Sequence, residues 1–305
     1  MVFDVRRDAA SGNTLNMLWL GVPLVFVLIW STGFIVAKAV VPHADLQWFL
    51  VARFSLTALV MGCAALIAGA QWPGVRRAAP HVLAGALMQG IYLCASYWAI
   101  SRGLAAGVMS LLGALQPLFT ALLAVSVMGR TLQPRAWAGL LIGFAGVGLV
   151  LAPKLASHGV GSLTPLPVAA GLVSVFAVTT GTVVQKRLAT TDLRTTASIQ
   201  SFGAAIFAAL AVLFIGTPRW DGAPILWGAL AWAVLVPSVV GTTLLMWMMR
   251  HGEATRVTAL LLLVPPLAAV QAYLFFGETL APVQFLGFAL ALGGVLMTRS
   301  ARAPS

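Results

Sequence analysis

Ten intervals of this sequence run for 18 residues or more without an Asp, Glu, Lys or Arg, and no other feature limits its possible folds so tightly. They lie between Asp8 and Lys38, Arg53 and Arg76, Arg77 and Arg102, Arg102 and Arg130, Arg135 and Lys154, Lys154 and Lys186, Arg194 and Arg219, Asp221 and Arg250, Arg256 and Glu278, and Glu278 and Arg299. Crossing about 30 Å of hydrocarbon takes roughly 20 helical residues, so each interval can hold one bilayer span. A spanning segment must satisfy its backbone polar groups without water, which leaves helices or closed barrels. Barrel strands would alternate apolar and polar residues over about ten positions, and these blocks are uniformly apolar. The expected class is an all-α membrane protein with ten transmembrane helices.

The few remaining charges exclude the other classes. The 305 residues include only 18 basic and 7 acidic ones, and 60% are hydrophobic, against about 25% charged in a soluble domain. That set cannot solvate a cytosolic enzyme, and neither a secreted disulfide scaffold nor a disordered chain has this composition. The net charge of +11 is no nucleic-acid signal, because Lys and Arg are scattered between apolar blocks rather than gathered on one face. Cys63 and Cys94 lie in apolar runs, where Cys behaves as a small hydrophobe, and no disulfide framework follows.

The spans are placed at 18–39, 47–69, 80–101, 106–128, 134–152, 167–188, 195–215, 224–249, 256–276 and 281–298. Arg6 and Arg7 before the first apolar run resemble the start of a signal peptide, but the run is long and leads into further spans, so it reads as a retained helix. Thirteen Lys and Arg fall on the side of the N-terminus and four on the other, with Arg53 inside the second span. Basic residues stay cytoplasmic, so both termini are expected inside.

Sliding the second half over the first reveals an internal repeat. Gly33 falls on Gly181 and Lys38 on Lys186 at a shift of 148, then Trp98 on Trp247, Gly103 on Gly252 and Pro117 on Pro266 at 149. After a single-residue shift Gly129, Thr131, Leu132, Pro134, Gly139 and Gly146 fall on Gly277, Thr279, Leu280, Pro282, Gly287 and Gly294. Each half holds five spans, and an odd number makes the second half enter from the opposite side, so the two five-helix repeats are inverted. The organisation reads as a tail at 1–17, a first repeat at 18–152, a linker at 153–166, a second repeat at 167–298 and a tail at 299–305. Inverted repeats are a recurrent build for secondary transporters, with the site near the midplane between halves.

The five-plus-five layout, Trp30-Ser31-Thr32, Ala52-Arg53-Phe54, Gln116-Pro117-Leu118-Phe119-Thr120-Ala121 and Phe276-Gly277-Glu278-Thr279-Leu280 with Gly287 together resemble the drug/metabolite transporter superfamily, EamA type. The resemblance covers essentially the whole chain and is nearest to bacterial inner-membrane exporters of amino acids, aromatic ones included. It implies alternating access to a site between the halves. One departure is Arg130, where the first repeat of many relatives carries Glu.

All seven acids, Asp4, Asp8, Asp45, Asp192, Asp221, Glu253 and Glu278, fall in tails, loops or span ends. Proton relays and cation sites in membranes normally use an intramembrane carboxylate, so a cationic-drug and proton antiporter is not expected. His43, His81, His158 and His251 also sit at span ends. No cofactor, metal site or hydrolytic constellation is expected, and the chain reads as no enzyme.

The candidate substrate lining is polar and aromatic. Gln89, Tyr92 and Ser96 recur at i, i+3 and i+7 on one helical face, whereas Tyr97 and Trp98 point elsewhere. Gln116, with Trp30, Thr179, Thr180, Ser238 and Thr242, completes the candidate set, and each could instead serve close helix packing. Arg53 reads either as an anchor for a substrate carboxylate or as a side chain reaching the outer interface. Lys38 and Lys186 read as interface anchors. Pro117, Pro265 and Pro266 are candidate hinges, each removing a backbone hydrogen bond. The glycines of the fifth and tenth spans place those helices at the periphery or in an oligomer contact. The expected function is export of small neutral or zwitterionic metabolites, amino acids first, passively or with weak coupling. The rivals are export of sugars, nucleobases or drugs and, from another class, a membrane receptor or scaffold without transport. The expected partners are a small-molecule substrate and the lipid bilayer, with the chain a monomer or homodimer.

Overall fold

The computed structural model describes residues 22–127, 129, 131–156, 164–188, 191–244 and 261–300. Both tails, Arg130, the middle of the linker and the segment 245–260, with Trp247, Gly252 and Glu253, lie outside the described residues. Within them are ten helical segments: α1 Val22–Val40, α2 Leu46–Ile67, α3 Val75–Ser101, α4 Ala106–Ser126, α6 Pro165–Gln185, α7 Leu193–Ile215, α8 Pro224–Leu244 and α9 Leu261–Phe276, with α5 Pro134–Ala156 and α10 Pro282–Ser300. The first eight are long and apolar enough to cross a membrane, and the described parts of the last two are shorter apolar helices. α3 starts at Val75, five residues before its expected start, and carries Pro80 inside it as the sixth helical residue, at the loss of one backbone hydrogen bond.

The inverted repeat is written into the backbone. In α3 a π-helical segment covers Ala86–Ile91, and in α8 another covers Val234–Gly241; the two begin 148 residues apart. α4 breaks at Leu115 and resumes at Gln116, while α9 changes from a 3₁₀ turn to α-helix at Val264, again 148 residues on. Pro117 and Pro265 each stand second after their break, which pairs Pro117 with Pro265 rather than Pro266. Gly129 and Gly277 both adopt left-handed backbone, with φ of 63° and 64°, a conformation that glycine reaches without steric cost. Gly277 is the C-cap of α9, whereas α4 ends at Ser126 with Val127 as its cap and Gly129 turns the chain just beyond it.

α5 and α10 pack across the halves through glycine. A methyl on Gly139 would meet Gly294 O at 2.7 Å, one on Gly146 would meet Ala291 N at 2.4 Å, one on Gly287 Gly146 O at 2.7 Å, and one on Gly294 Gly139 O at 2.4 Å. The contacts Gly139–Gly294 and Gly146–Gly287 are images of one another under the repeat. The small residues predicted to serve the periphery or an oligomer contact thus mesh within the chain, where close backbone approach is what drives helix association in lipid. α3 and α7 approach similarly, with Gly85 against the Gln200 backbone and Gly203 against Val82 O.

At the end of the bundle carrying the α1–α2 and α7–α8 loops, the two loops are tied together. Ala44 and Trp220 form an isolated antiparallel bridge. Asp45 caps α2 by accepting from Gln47 N at 2.9 Å and Trp48 N at 3.3 Å. Its other oxygen accepts from Thr217 N and Thr217 Oγ1 at 3.1 and 3.0 Å. The Arg219 guanidinium donates to Val41 O and Ala44 O, and His43 Nδ1 pairs with Asp221 Oδ2 at 2.8 Å. The core beneath holds Phe49, Leu50, Phe54, Met109, Leu112 and Leu115, all buried. Outward-facing Leu213, Phe214, Leu274 and Phe275 are exposed, as lipid-facing side chains should be.

Candidate functional site

The site grows from a break in α1. Ser31 Oγ and Thr32 Oγ1 donate back to Leu28 O and Ile29 O at 2.8 and 2.7 Å, bonds that bend helices, and Thr32 itself stands as a turn between two helical stretches. Three side chains from other helices converge there. Gln271 Nε2 of α9 donates to Ser31 Oγ at 2.8 Å, Trp232 Nε1 of α8 to Thr32 Oγ1 at 3.1 Å, and the Tyr97 hydroxyl of α3 to Gly33 O at 2.8 Å.

Arg53 of α2 completes this polar seam. Its Nη1 donates to the Tyr97 hydroxyl at 3.1 Å and its Nη2 to Ser238 Oγ at 3.5 Å. Ser238 lies in the π-segment of α8 and donates to Ala233 O at 2.9 Å. Arg53 is only 7% exposed, and among the described residues its buried Nε has no hydrogen-bond partner. Of the two sequence readings, a side chain reaching the interface is therefore not what is observed. Among the described residues the ion pairs are Lys38–Glu278, His43–Asp221 and Arg194–Asp192, so the guanidinium has neutral partners only. A buried cation normally pairs with an anion.

The remaining predicted residues divide. Gln89 is half-buried inside the π-segment of α3 and Tyr92 is half-buried just beyond it. The Tyr92 ring stands edge-on to Phe34 at 6.1 Å, and its hydroxyl lies 3.3 Å from where a Gly113 side chain would begin. Ser96 is fully buried and its hydroxyl is committed to Tyr92 O at 2.6 Å. Gln116 Nε2 donates to Thr182 Oγ1 at 3.0 Å, linking α4 to α6. Thr179 is fully buried, donating to Val175 O, and Thr180 donates to Phe176 O. Trp30 is 39% exposed and rests on Phe26 with centroids 5.1 Å apart. Thr242 is half-buried in α8. Pro117 and Pro265 mark breaks, and Pro266 follows in the same turn.

Sequence reasoning passed over Tyr97, Trp232 and Gln271 as site residues. For Gln271 the signal was an amide in an apolar run, and for Tyr97 the hydroxyl it was assumed to bury elsewhere. Lys38, expected as an interface anchor, instead forms an ion pair with Glu278 across the halves and lies 5.3 Å from the Phe276 ring centroid. Lys186 is exposed. Among the described residues no group of three His, Cys, Asp or Glu side chains could hold a metal ion.

Two inverted halves, each with a broken and a π-interrupted helix around a polar seam, define a polytopic membrane transporter of small solutes. The chain belongs to the EamA-like transporter family, which it matches twice, over residues 17–152 and 166–300. Family members are transporters rather than enzymes. A solved crystal structure, described only as that of a protein, shares 20% identity, covers 92% of this chain and 96% of its own, and superposes with a TM-score of 0.62; at that identity it shows the fold alone. A comparison with curated proteins finds no match.

Proposed function

We propose that the protein exports small neutral or zwitterionic metabolites, amino acids first and aromatic ones among them, across a bacterial inner membrane by alternating access. Both termini then face the cytoplasm, and the tied α1–α2 and α7–α8 loops face the periplasm. The observation that carries this reading is the polar seam at the α1 break, where Arg53, Tyr97, Ser238, Trp232 and Gln271 meet from both halves. Gln89 and Tyr92 of α3 are assigned to the same site in this reading: an amide and a hydroxyl can satisfy ammonium and carboxylate groups, and the Tyr ring offers an apolar wall. The matched interruptions of α3 with α8 and of α4 with α9 supply equivalent bending points in opposite orientation, as alternation between two sides requires.

The test is flux. Purified protein in liposomes, loaded in turn with labelled aromatic, aliphatic and polar amino acids, should release at least one class faster than protein-free vesicles. Release of sugars or nucleobases but no amino acid would transfer the reading to those substrates. With reconstitution verified, absence of all flux would support a receptor or scaffold.

A further inference from the structure

The export reading leaves open which end of an amino acid the site holds, and the charge inventory of the seam answers it. Arg53 is buried, its Nη1 and Nη2 bond two neutral hydroxyls, and its Nε bonds nothing. Nε and the adjacent Nη2 form the side-on edge of the guanidinium, a fork whose two parallel N–H groups match the two oxygens of one carboxylate. The described acids, Asp45, Asp192, Asp221 and Glu278, flank the helices rather than lying within them. Asp45 is spent on the α2 cap and Thr217, Asp221 pairs with His43, Asp192 with Arg194 and Glu278 with Lys38. Among the described residues the seam thus offers a cation for a carboxylate and, for an ammonium, only neutral acceptors such as the buried, unpartnered Gln271 Oε1.

Resting on the export reading, we infer that this transporter recognises its substrate by the carboxylate, through Arg53, and that the substrate's amino group is dispensable. Organic monocarboxylates in general, including 2-oxo acids and N-acylated amino acids, are then substrates alongside amino acids. Amino-acid amides and the corresponding amines are excluded, because they bring a second cation to one that no described acid neutralises. Tyr97 acts as a positioning residue: bonded at once to Arg53 and to Gly33 O, it holds the guanidinium against the α1 break.

The test uses detergent-purified full-length protein and five probes: phenylalanine, phenylpyruvate, N-acetylphenylalanine, phenylalanine amide and phenethylamine. Ligand-induced thermal stabilisation reports binding to the folded state, and liposome counterflow reports transport. The three carboxylates should bind with constants within about threefold of one another, and the amide and amine about ten- to a hundredfold more weakly, the loss expected for one charged hydrogen-bonded contact. Arg53→Gln should remove that discrimination, and Arg53→Lys should restore it in part, keeping the charge without the fork. The wild-type panel stands alone if either variant misfolds. Amide or amine binding equal to the acids, or no stabilisation by any carboxylate, overturns the inference. Carboxylate binding without counterflow of any amino acid would leave the anion site standing and refute the export of amino acids.

Discussion

The packing of α5 on α10 makes a prediction whose sign reverses within two residues. A methyl added at Gly146 would stand 2.4 Å from Ala291 N, 2.6 Å from Gly287 O and 2.9 Å from Ala291 Cα. All three are backbone atoms, so no side chain can swing aside. Restoring ordinary contact near 3.4 Å requires the helices to part by about 1 Å, and a gap of that size forfeits roughly a quarter to a half of each dispersion well along the seam. Overpacking costs about 1–3 kcal/mol, and with rigid backbone on every side Gly146→Ala should cost about 3 kcal/mol. Gly294→Ala should cost as much, its methyl meeting Gly139 O and Gly143 N at 2.4 Å each. Gly148 and Gly293, on the same two helices, have nothing within 4 Å of an added methyl. Alanine there gains up to about 1 kcal/mol of helix propensity, so those variants should be neutral or more stable. Reversible unfolding in mixed micelles at constant detergent separates the two pairs. Once the first substitution has parted the helices the second finds room, so the Gly146→Ala, Gly294→Ala double variant should cost less than the sum. Equal stabilities for Gly146→Ala and Gly148→Ala would refute the account of how the halves are joined.

The seam, the breaks and the loops make further predictions. Tyr97→Phe removes both an acceptor of Arg53 and a donor to Gly33 O, so it should raise the KM for a carboxylate substrate about tenfold in counterflow while folded yield stays near wild type; loss of yield without a change in KM would make Tyr97 purely structural. Pro117→Ala and Pro265→Ala should bias cysteine accessibility toward opposite faces, and unchanged accessibility in both would make the breaks static. Cysteines at Arg76 should label from the cytoplasm and at Arg219 from the periplasm, the reverse pattern overturning the orientation. The Ala223 N–H and then His43 hold the Asp221 carboxyl below its ordinary 3.8. A depressed folded value contributes stability above the unfolded pKa and loses it as pH falls through the folded one. Hydrogen exchange in the α7–α8 loop, corrected for intrinsic rates, should therefore stay constant down to about pH 4 and rise below it, and Asp221→Asn should flatten the profile.

The frame of this protein is legible in its sequence because its rules are local. Charge-free runs mark spans, and glycine and proline at a fixed shift mark the repeat, down to the left-handed backbone at Gly129 and Gly277. The site is less legible, and α3 shows why. The spacing Gln89, Tyr92, Ser96 lies on one face only if the helix is regular. The π-segment at Ala86–Ile91 inserts residues into the turn, and each added residue rotates the C-terminal part of the helix by about 100° relative to the N-terminal part. Ser96 accordingly turns into the core and bonds its own helix, while Tyr97, one residue on, reaches Arg53. Nothing local in Ala86-Leu87-Met88-Gln89-Gly90-Ile91 announces the bulge. Gly90 within it packs closely against Phe207 and Ala204 of α7, a contact made more than a hundred residues away. Arg53 is the complementary case. Its burial could be suspected from its place in the second span, but its lack of an acid partner is a property of four other helices.

The frame is symmetric and the chemistry is not, and this difference bears on how the halves could move. At the shift of 148 the counterpart of Arg53 is Ser201, a buried neutral residue, so among the described residues the buried cation of the seam belongs to the first half. Its bond to Tyr97, and that of Tyr97 to Gly33, lie within that half and travel with it. The bonds that join the halves at the seam are Gln271 to Ser31, Trp232 to Thr32 and Arg53 to Ser238, the last the longest at 3.5 Å. Side-chain hydrogen bonds between helices in lipid are worth on average about 0.6 kcal/mol each, so parting these three costs about 2 kcal/mol. That is a small local cost beside the α5–α10 packing that also joins the halves. A carboxylate taking the Nη2 of Arg53 from Ser238 would remove one of the three bonds and shift the balance further. A carboxylate bound at Arg53 would thus loosen one of the contacts between the halves and leave the α5–α10 packing in place.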